Sequence, residues 1–366
     1  MEIPGYYFDS IKRKYFKIDS SNTNYNKDNL RNLKFKDQQL QKKLKLLYKI
    51  KDNNLEILSI KNKFNNRLNS NFNLINYQLQ NYKLVNTQNF YNRNLQKIIS
   101  KDNSIYLSNN SEIFELNSNL NLIYSSSINN DLILRNFDKL DKFFVKIWYG
   151  LNQELGKLDI INSNQLIKSF HSNRYENYNN FHIDNQNQII IVGNKGLNFI
   201  DFTKDNLIKF KTDDILSITG DNQKDLYLGF RNGLLSQFDY RSFKLNKLSI
   251  NFKSAIINLQ DLNLNEILIS SIDGELSKFD KRYFKKPLIK FNSLLKINDI
   301  FANNLTLNKD IIILQNNQMV EIFNINNSIP LKIIESDNVK FNSHVLINQD
   351  LNLKILNDKN QLLTYE

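Results

Sequence analysis

Two stretches decide the fold: LYLGFRNGLLSQFDYR at 226–241 and ILISSIDGELSKFDKR at 267–282, which align without a gap at an offset of 41 residues. Gly233 and Gly274 coincide, as do Leu235/Leu276, Ser236/Ser277, Phe238/Phe279, Asp239/Asp280 and Arg241/Arg282. Each stretch opens on a short apolar run, passes through a glycine and resumes as a second short run ending in Phe-Asp. Runs of four to eight residues bounded by turn formers read as strands, so the unit is strand, tight turn, strand. A strand unit of this size, apolar on both faces, cannot bury itself alone and must stack on copies of itself.

Working outward, the same outline recurs more faintly at 189–202, 311–325 and 351–365. From residue 96 onward the chain consists of short Ile-, Leu-, Phe- and Tyr-rich runs separated by Asn, Asp and Lys clusters. Examples are 104–107, 188–192, 226–228, 267–269 and 310–314. An all-β chain with a period of roughly 40–45 and an aromatic-Asp strand ending has the signature of a WD40-type β-propeller, here with Phe in place of Trp. Residues 96–366 hold about 6.6 periods of 41, so seven blades are expected, with six as the alternative. The last run, near Leu362–Tyr365, is expected to close the ring with an N-terminal strand.

Three further pieces precede the ring. Residues 1–20 carry an aromatic motif: Pro4, Gly5, Tyr6, Tyr7, Phe8 and Asp9, then a basic turn, then Tyr15 and Phe16. The spacing predicts a hairpin with rings facing across it, either an interaction element or a packing clip. Residues 26–66 predict a basic α-helical extension, because Leu30, Leu33, Leu40, Leu44 and Leu47 recur at helical spacing among lysines. The apolar stripe of Leu33, Leu40, Leu44 and Leu47 would need a partner surface, since the ring is complete without it. Residues 67–95 are Asn-rich and read as a linker.

Composition narrows the function classes. Hydrophobic residues make up 41% of the 366 and charged residues 23%, ordinary globular usage. The net charge of +12 is uneven: residues 1–66 hold 15 basic and 7 acidic residues. Such a basic segment suits nucleic acid or an acidic protein. With no cysteine there is no disulfide framework, cysteine zinc site or thiol nucleophile, and the three histidines, His171, His182 and His344, lie far apart in sequence. The chain is expected to be neither membrane-spanning nor secreted, having no long apolar run and no apolar signal core. Only nine glycines occur, so Asn and Asp are expected to take glycine's place in turns. No phosphate-binding glycine loop, nucleophile elbow or zinc-protease motif appears. Gly193-Asn-Lys-Gly196 falls where a blade turn belongs, and Asp213-Asp214 reads as a solvated turn. No catalytic residue, cofactor or metal is expected.

The paired Asp-x-Arg endings are more informative. Residues i and i+2 of a strand share a face, so Asp239 with Arg241, and Asp280 with Arg282, can act together. Identical register in neighbouring blades would set both guanidiniums on one rim. They either tie the strand end to its turn or present bidentate donors to a carboxylate-rich partner.

Taken together, the motif Pro4–Asp9 with Tyr15-Phe16-Lys17-Ile18, the basic helical stretch and the degenerate repeat resemble the WD repeat-containing protein 21 family. This is the family of damage-specific DNA-binding protein 1- and cullin-4-associated factor 4. The resemblance covers the N-terminal motif and roughly residues 178–366. In the wider group of cullin-4 substrate receptors the box runs from a small-residue pair through an acidic residue to aromatic-Asp-x-Arg. Ser270, Ser271, Asp273, Leu276, Phe279, Asp280 and Arg282 match it, whereas Lys278 stands where an aliphatic residue is usual. Around Arg241, Phe230 and Asn232 depart from the small and acidic positions. The resemblance implies a non-catalytic substrate receptor of a cullin-RING ubiquitin ligase, with Arg241 and Arg282 on the ligase adaptor, a cullin beyond it and a protein substrate of unknown identity. Nucleus or cytoplasm is the expected setting. The rival expectation is a scaffold in an RNA- or chromatin-associated complex, anchored by the basic residues 12–63.

Overall fold

The computed structural model describes residues 6–9, 14–17 and, apart from short stretches, 79–366. The chain divides into two compact units, residues 1–65 and 66–366. In the first, Tyr6–Asp9 pairs antiparallel with Lys14–Lys17, setting Tyr7 opposite Phe16 and Phe8 opposite Tyr15 in backbone register. The expected hairpin is therefore present as backbone. Pro4, Gly5 and the whole predicted helical extension, including Leu33, Leu40, Leu44 and Leu47, lie outside the described residues.

The second unit is a seven-bladed β-propeller. Seven four-stranded antiparallel sheets occur among the described residues, at 97–125, 132–171, 178–211, 215–251, 256–291, 305–335 and 341–365. Blades are numbered here in that order. The six-bladed alternative is excluded by this count. In the seventh blade the chain supplies three strands from its C-terminal end, and the fourth is Leu84–Asn89, which pairs with Gln361–Tyr365. The expected closure by an N-terminal strand is found, but the expected linker 67–95 is corrected: its C-terminal half belongs to the ring. Leu79 and Tyr82 are buried against Ile311, Ile313, Leu353 and Ile355, between blades six and seven. A closed ring removes the sheet edges that an open array would expose, and these residues complete the last blade's outer layer.

The core lies between blades rather than within them. Buried apolar side chains form seven clusters, one at each junction around the ring. The second and third strands of each blade are covered on both sides, which explains their uninterrupted apolar runs: Ile311–Gln315 is buried throughout. Phe238 fills the junction of blades three and four, with its ring 5.0 Å from Phe210 and 5.6 Å from Phe199. Phe279 takes the equivalent place between blades four and five, against Phe252 and Phe284. Gly233 and Gly274 both sit in the turn before the third strand at φ +83°, where a side chain would be strained. A Cβ at Gly274 would also lie 1.5 Å from the Leu295 carbonyl oxygen.

Polar side chains on the inner strands stitch neighbouring blades together. Asn179 donates to the Ile215 carbonyl at 2.7 Å, and Ser217 to the Ile256 carbonyl at 3.1 Å. Two turns elsewhere use Asp or Asn as expected, with Asp141 at φ 48° and Asn360 at φ 57°, whereas Phe243 at φ 53° departs from that expectation.

Candidate docking surface

The third strand of blade five ends at Asp280, and the turn to the outer strand follows. Within that turn, side chains divide by direction. Lys281 is almost fully covered: its Nζ donates to the Asn263 carbonyl at 3.0 Å, pairs with Asp261 at 3.2 Å and sits 5.4 Å from the Tyr227 ring of blade four. Phe284 packs inward on the same Tyr227, at 5.9 Å between ring centroids. Arg282 and Tyr283 point outward, with the Arg282 side chain 71% exposed.

Asp280 holds Arg282 by three bonds. Its carboxylate accepts the Arg282 backbone N–H at 2.9 Å, the Nε–H at 2.9 Å and an Nη2–H at 2.7 Å. These bonds from Arg282 hold the Asp280 carboxyl down at about 2, so it stays ionised. Arg carries five N–H donors, and the clip engages two of them. The far edge of the fork, Nη1 and the second Nη2 hydrogen, remains for another acceptor. Beside it lies a depression of about 500 Å³ lined by Asn263, Leu264, Asn265, Glu266, Asp280 and Arg282. Leu264 is 76% exposed on its wall, and Tyr283 and Leu288 are exposed close by in sequence.

In blade four, Asp239 occupies the equivalent strand end and accepts from the Ser242 hydroxyl at 2.9 Å. Asp239 and Asp280 thus hold matching positions in adjacent blades, opposite Asp225 and Glu266 in register. Arg241 lies outside the described residues. Lys278, the departure from the aliphatic position, is buried and pairs with Glu266 at 3.3 Å. The exposed apolar residues Leu264, Tyr283 and Leu288 were not singled out by sequence. The one signal was a leucine flanked by asparagines, Asn263-Leu264-Asn265, where a turn rather than a strand belongs.

Two polar groups singled out in the sequence take part in the packing between blades. Asp214 bonds Arg231 and accepts from Asn179 at 2.9 Å, across the junction of blades three and four. His344 is buried with its Nδ1 2.7 Å from Gln315, and burial lowers its pKa to about 3, which keeps it neutral. Among the described residues no group of three or more acidic or histidine side chains is placed to hold a metal, and no helix is long and apolar enough to cross a membrane.

No protein-family signature matches the sequence, and a search of curated proteins returns no match. Solved structures do match. The WD40 β-propeller domain of Doa1 superposes with a TM-score of 0.61 at 9% identity, covering 78% of this chain and 97% of that domain. Raptor of Chaetomium thermophilum gives 0.62 at 13% identity, covering 78% of this chain but only 29% of its own. At these identities the likeness concerns the fold alone: the chain shares the WD40-type β-propeller architecture.

Proposed function

We propose that this chain is the substrate receptor of a cullin-RING ubiquitin ligase, in which the Asp-x-Arg strand ends of blades four and five dock on an acidic adaptor surface. Ubiquitin transfer belongs to the ligase partners, and this chain contributes position and choice of substrate. The observation that carries the reading is the geometry of Arg282. An exposed guanidinium held by its own Asp280, with one edge of the fork open beside a depression with an exposed leucine on its wall, is a donor set in place before a partner arrives. Such preorganisation lowers the entropic cost of docking. A free arginine on a mobile turn would lack that advantage.

The test is recovery of adaptor and cullin with the tagged full chain, comparing wild type with Arg241→Ala/Arg282→Ala and with Arg282→Lys. Both variants should keep the wild-type melting temperature. The double alanine variant should lose about 2 kcal/mol or more of adaptor affinity. The lysine variant should also weaken binding, because an ammonium cannot reproduce the planar fork. Undiminished adaptor recovery from a stable double variant would end the proposal.

A further inference from the structure

The ring's positive charge is concentrated in one sector. Residues 240–260 and 281–298, which hold the outer strands of blades four and five, carry ten cations and no carboxylate. The rest of residues 67–366 holds 24 cations against 30 carboxylates. Lys244, Lys247, Lys285 and Lys286 are exposed and, among the described residues, pair with no acid. Lys244 and Lys247 lie on the outer strand of blade four, whereas Lys285 and Lys286 lie in the turn before the outer strand Ile289–Phe291 of the neighbouring blade five. The inward anchoring of Lys281 and Phe284 on Tyr227 ties the blade-five turn to blade four, making the two edges one surface.

Two aromatic rings interrupt these lysines. Tyr283 is 58% exposed, and Phe243 is 39% exposed, standing edge-on to Phe238 at 5.8 Å. Lysine is a point charge that neutralises phosphate without fixing an acceptor geometry, which suits a flexible strand held through its backbone. Exposed rings among such charges offer stacking platforms, and only unpaired bases can use them. We propose that the outer edge of blades four and five binds single-stranded RNA, with phosphates on Lys244, Lys247, Lys285 and Lys286 and a base on Tyr283. This site adjoins the adaptor surface, since Arg282, Tyr283, Lys285 and Lys286 share one turn, but it rests on different side chains from the adaptor reading, which uses Arg241 and Arg282.

The experiment is fluorescence anisotropy of a labelled 20-nucleotide oligouridine with the full chain between 50 and 200 mM salt. Affinity should fall steeply with salt. The Lys244→Gln/Lys247→Gln/Lys285→Gln/Lys286→Gln variant should bind about tenfold or more weakly at the lowest salt. Its slope of log affinity on log salt should flatten by about 3, at about 0.7 per lost phosphate contact on a single strand. Tyr283→Ala should weaken binding about fivefold or more and leave the slope unchanged. Should the fourfold variant fail to fold, Lys285→Gln/Lys286→Gln, expected to flatten the slope by about half as much, carries the same comparison. Wild-type affinity and slope in the lysine variants would overturn the proposal by placing the contacts elsewhere. So would equal binding of an annealed duplex, or displacement of the oligonucleotide by polyglutamate at equal charge, which would make the surface one for acidic protein.

Discussion

Replacing Glu321 by Gln should remove a pH dependence built into the junction of blades five and six. Glu321 lies on strand Met319–Asn324 of blade six and is wholly buried. Its Oε1 accepts the Leu294 N–H at 2.8 Å, while Oε2 is buried with no hydrogen-bond partner. Burial is the dominant influence and raises its pKa from 4.5 to about 7, against the opposing pull of bonds from Ser293 and Leu294. The folded pKa lies above the unfolded one, so the contribution is fully present below about pH 4.5 and is lost as pH rises through 7. That interval corresponds to about 3 kcal/mol of folding free energy. Gln keeps the size and the acceptor for Leu294 but cannot ionise. Urea midpoints at pH 4.5, 6 and 7.5 should therefore diverge, with the variant gaining about 3 kcal/mol on wild type across the range. Parallel midpoints for the two proteins over the whole interval would refute the argument.

Further predictions concern packing and turns. Phe279→Ala should cost about 3–5 kcal/mol, because the ring fills the junction of blades four and five and its removal leaves a cavity; a loss below about 1 kcal/mol in the urea midpoint would mean that the junction collapses freely. Asp141→Gly should raise the melting temperature, the gain being up to about 1 kcal/mol, since the exposed Asp141 holds φ 48° between two long strands; a lowered melting temperature would show that its side chain supports the turn.

Blades four and five were the legible part of the sequence because they keep the two features a gap-free comparison can register: a glycine before the third strand and a phenylalanine filling the next junction. Blades one and two were not legible, and their turns explain it. In blade one the Asn109 side chain takes over the turn, accepting the backbone N–H groups of Ser111 and Glu112. In blade two Asp141 joins strands of nine and eight residues, Leu132–Leu140 and Phe143–Gly150, whose length breaks the 41-residue period. The closing strand Leu84–Asn89 reads LVNTQN and is mostly exposed. Its pairing with the C-terminal strand, rather than an apolar pattern, makes it part of the ring. Of the candidate site, the register of Asp239 and Asp280 was legible, since it follows from the repeat. The inward turn of Lys281 was not, because composition makes every lysine look like surface.

The clip between Asp280 and Arg282 bears on how the rim would meet an anionic partner. Seen from a distance, an ion pair held at 2.7 Å is nearly neutral and attracts little. Long-range attraction must then come from the unpaired lysines of the outer edge, whose field reaches about a Debye length, ~8 Å at physiological salt. Arg282 acts only on contact, where its open edge can discriminate planar acceptors at fixed geometry. Approach and discrimination are thereby assigned to different residues. Neutralising Lys285 and Lys286 should slow association and reduce its salt dependence, whereas Arg282→Lys should chiefly speed dissociation. Stopped-flow rates on the two variants distinguish these roles, and equal effects on both rate constants in both variants would show that the rim does not divide its work in this way.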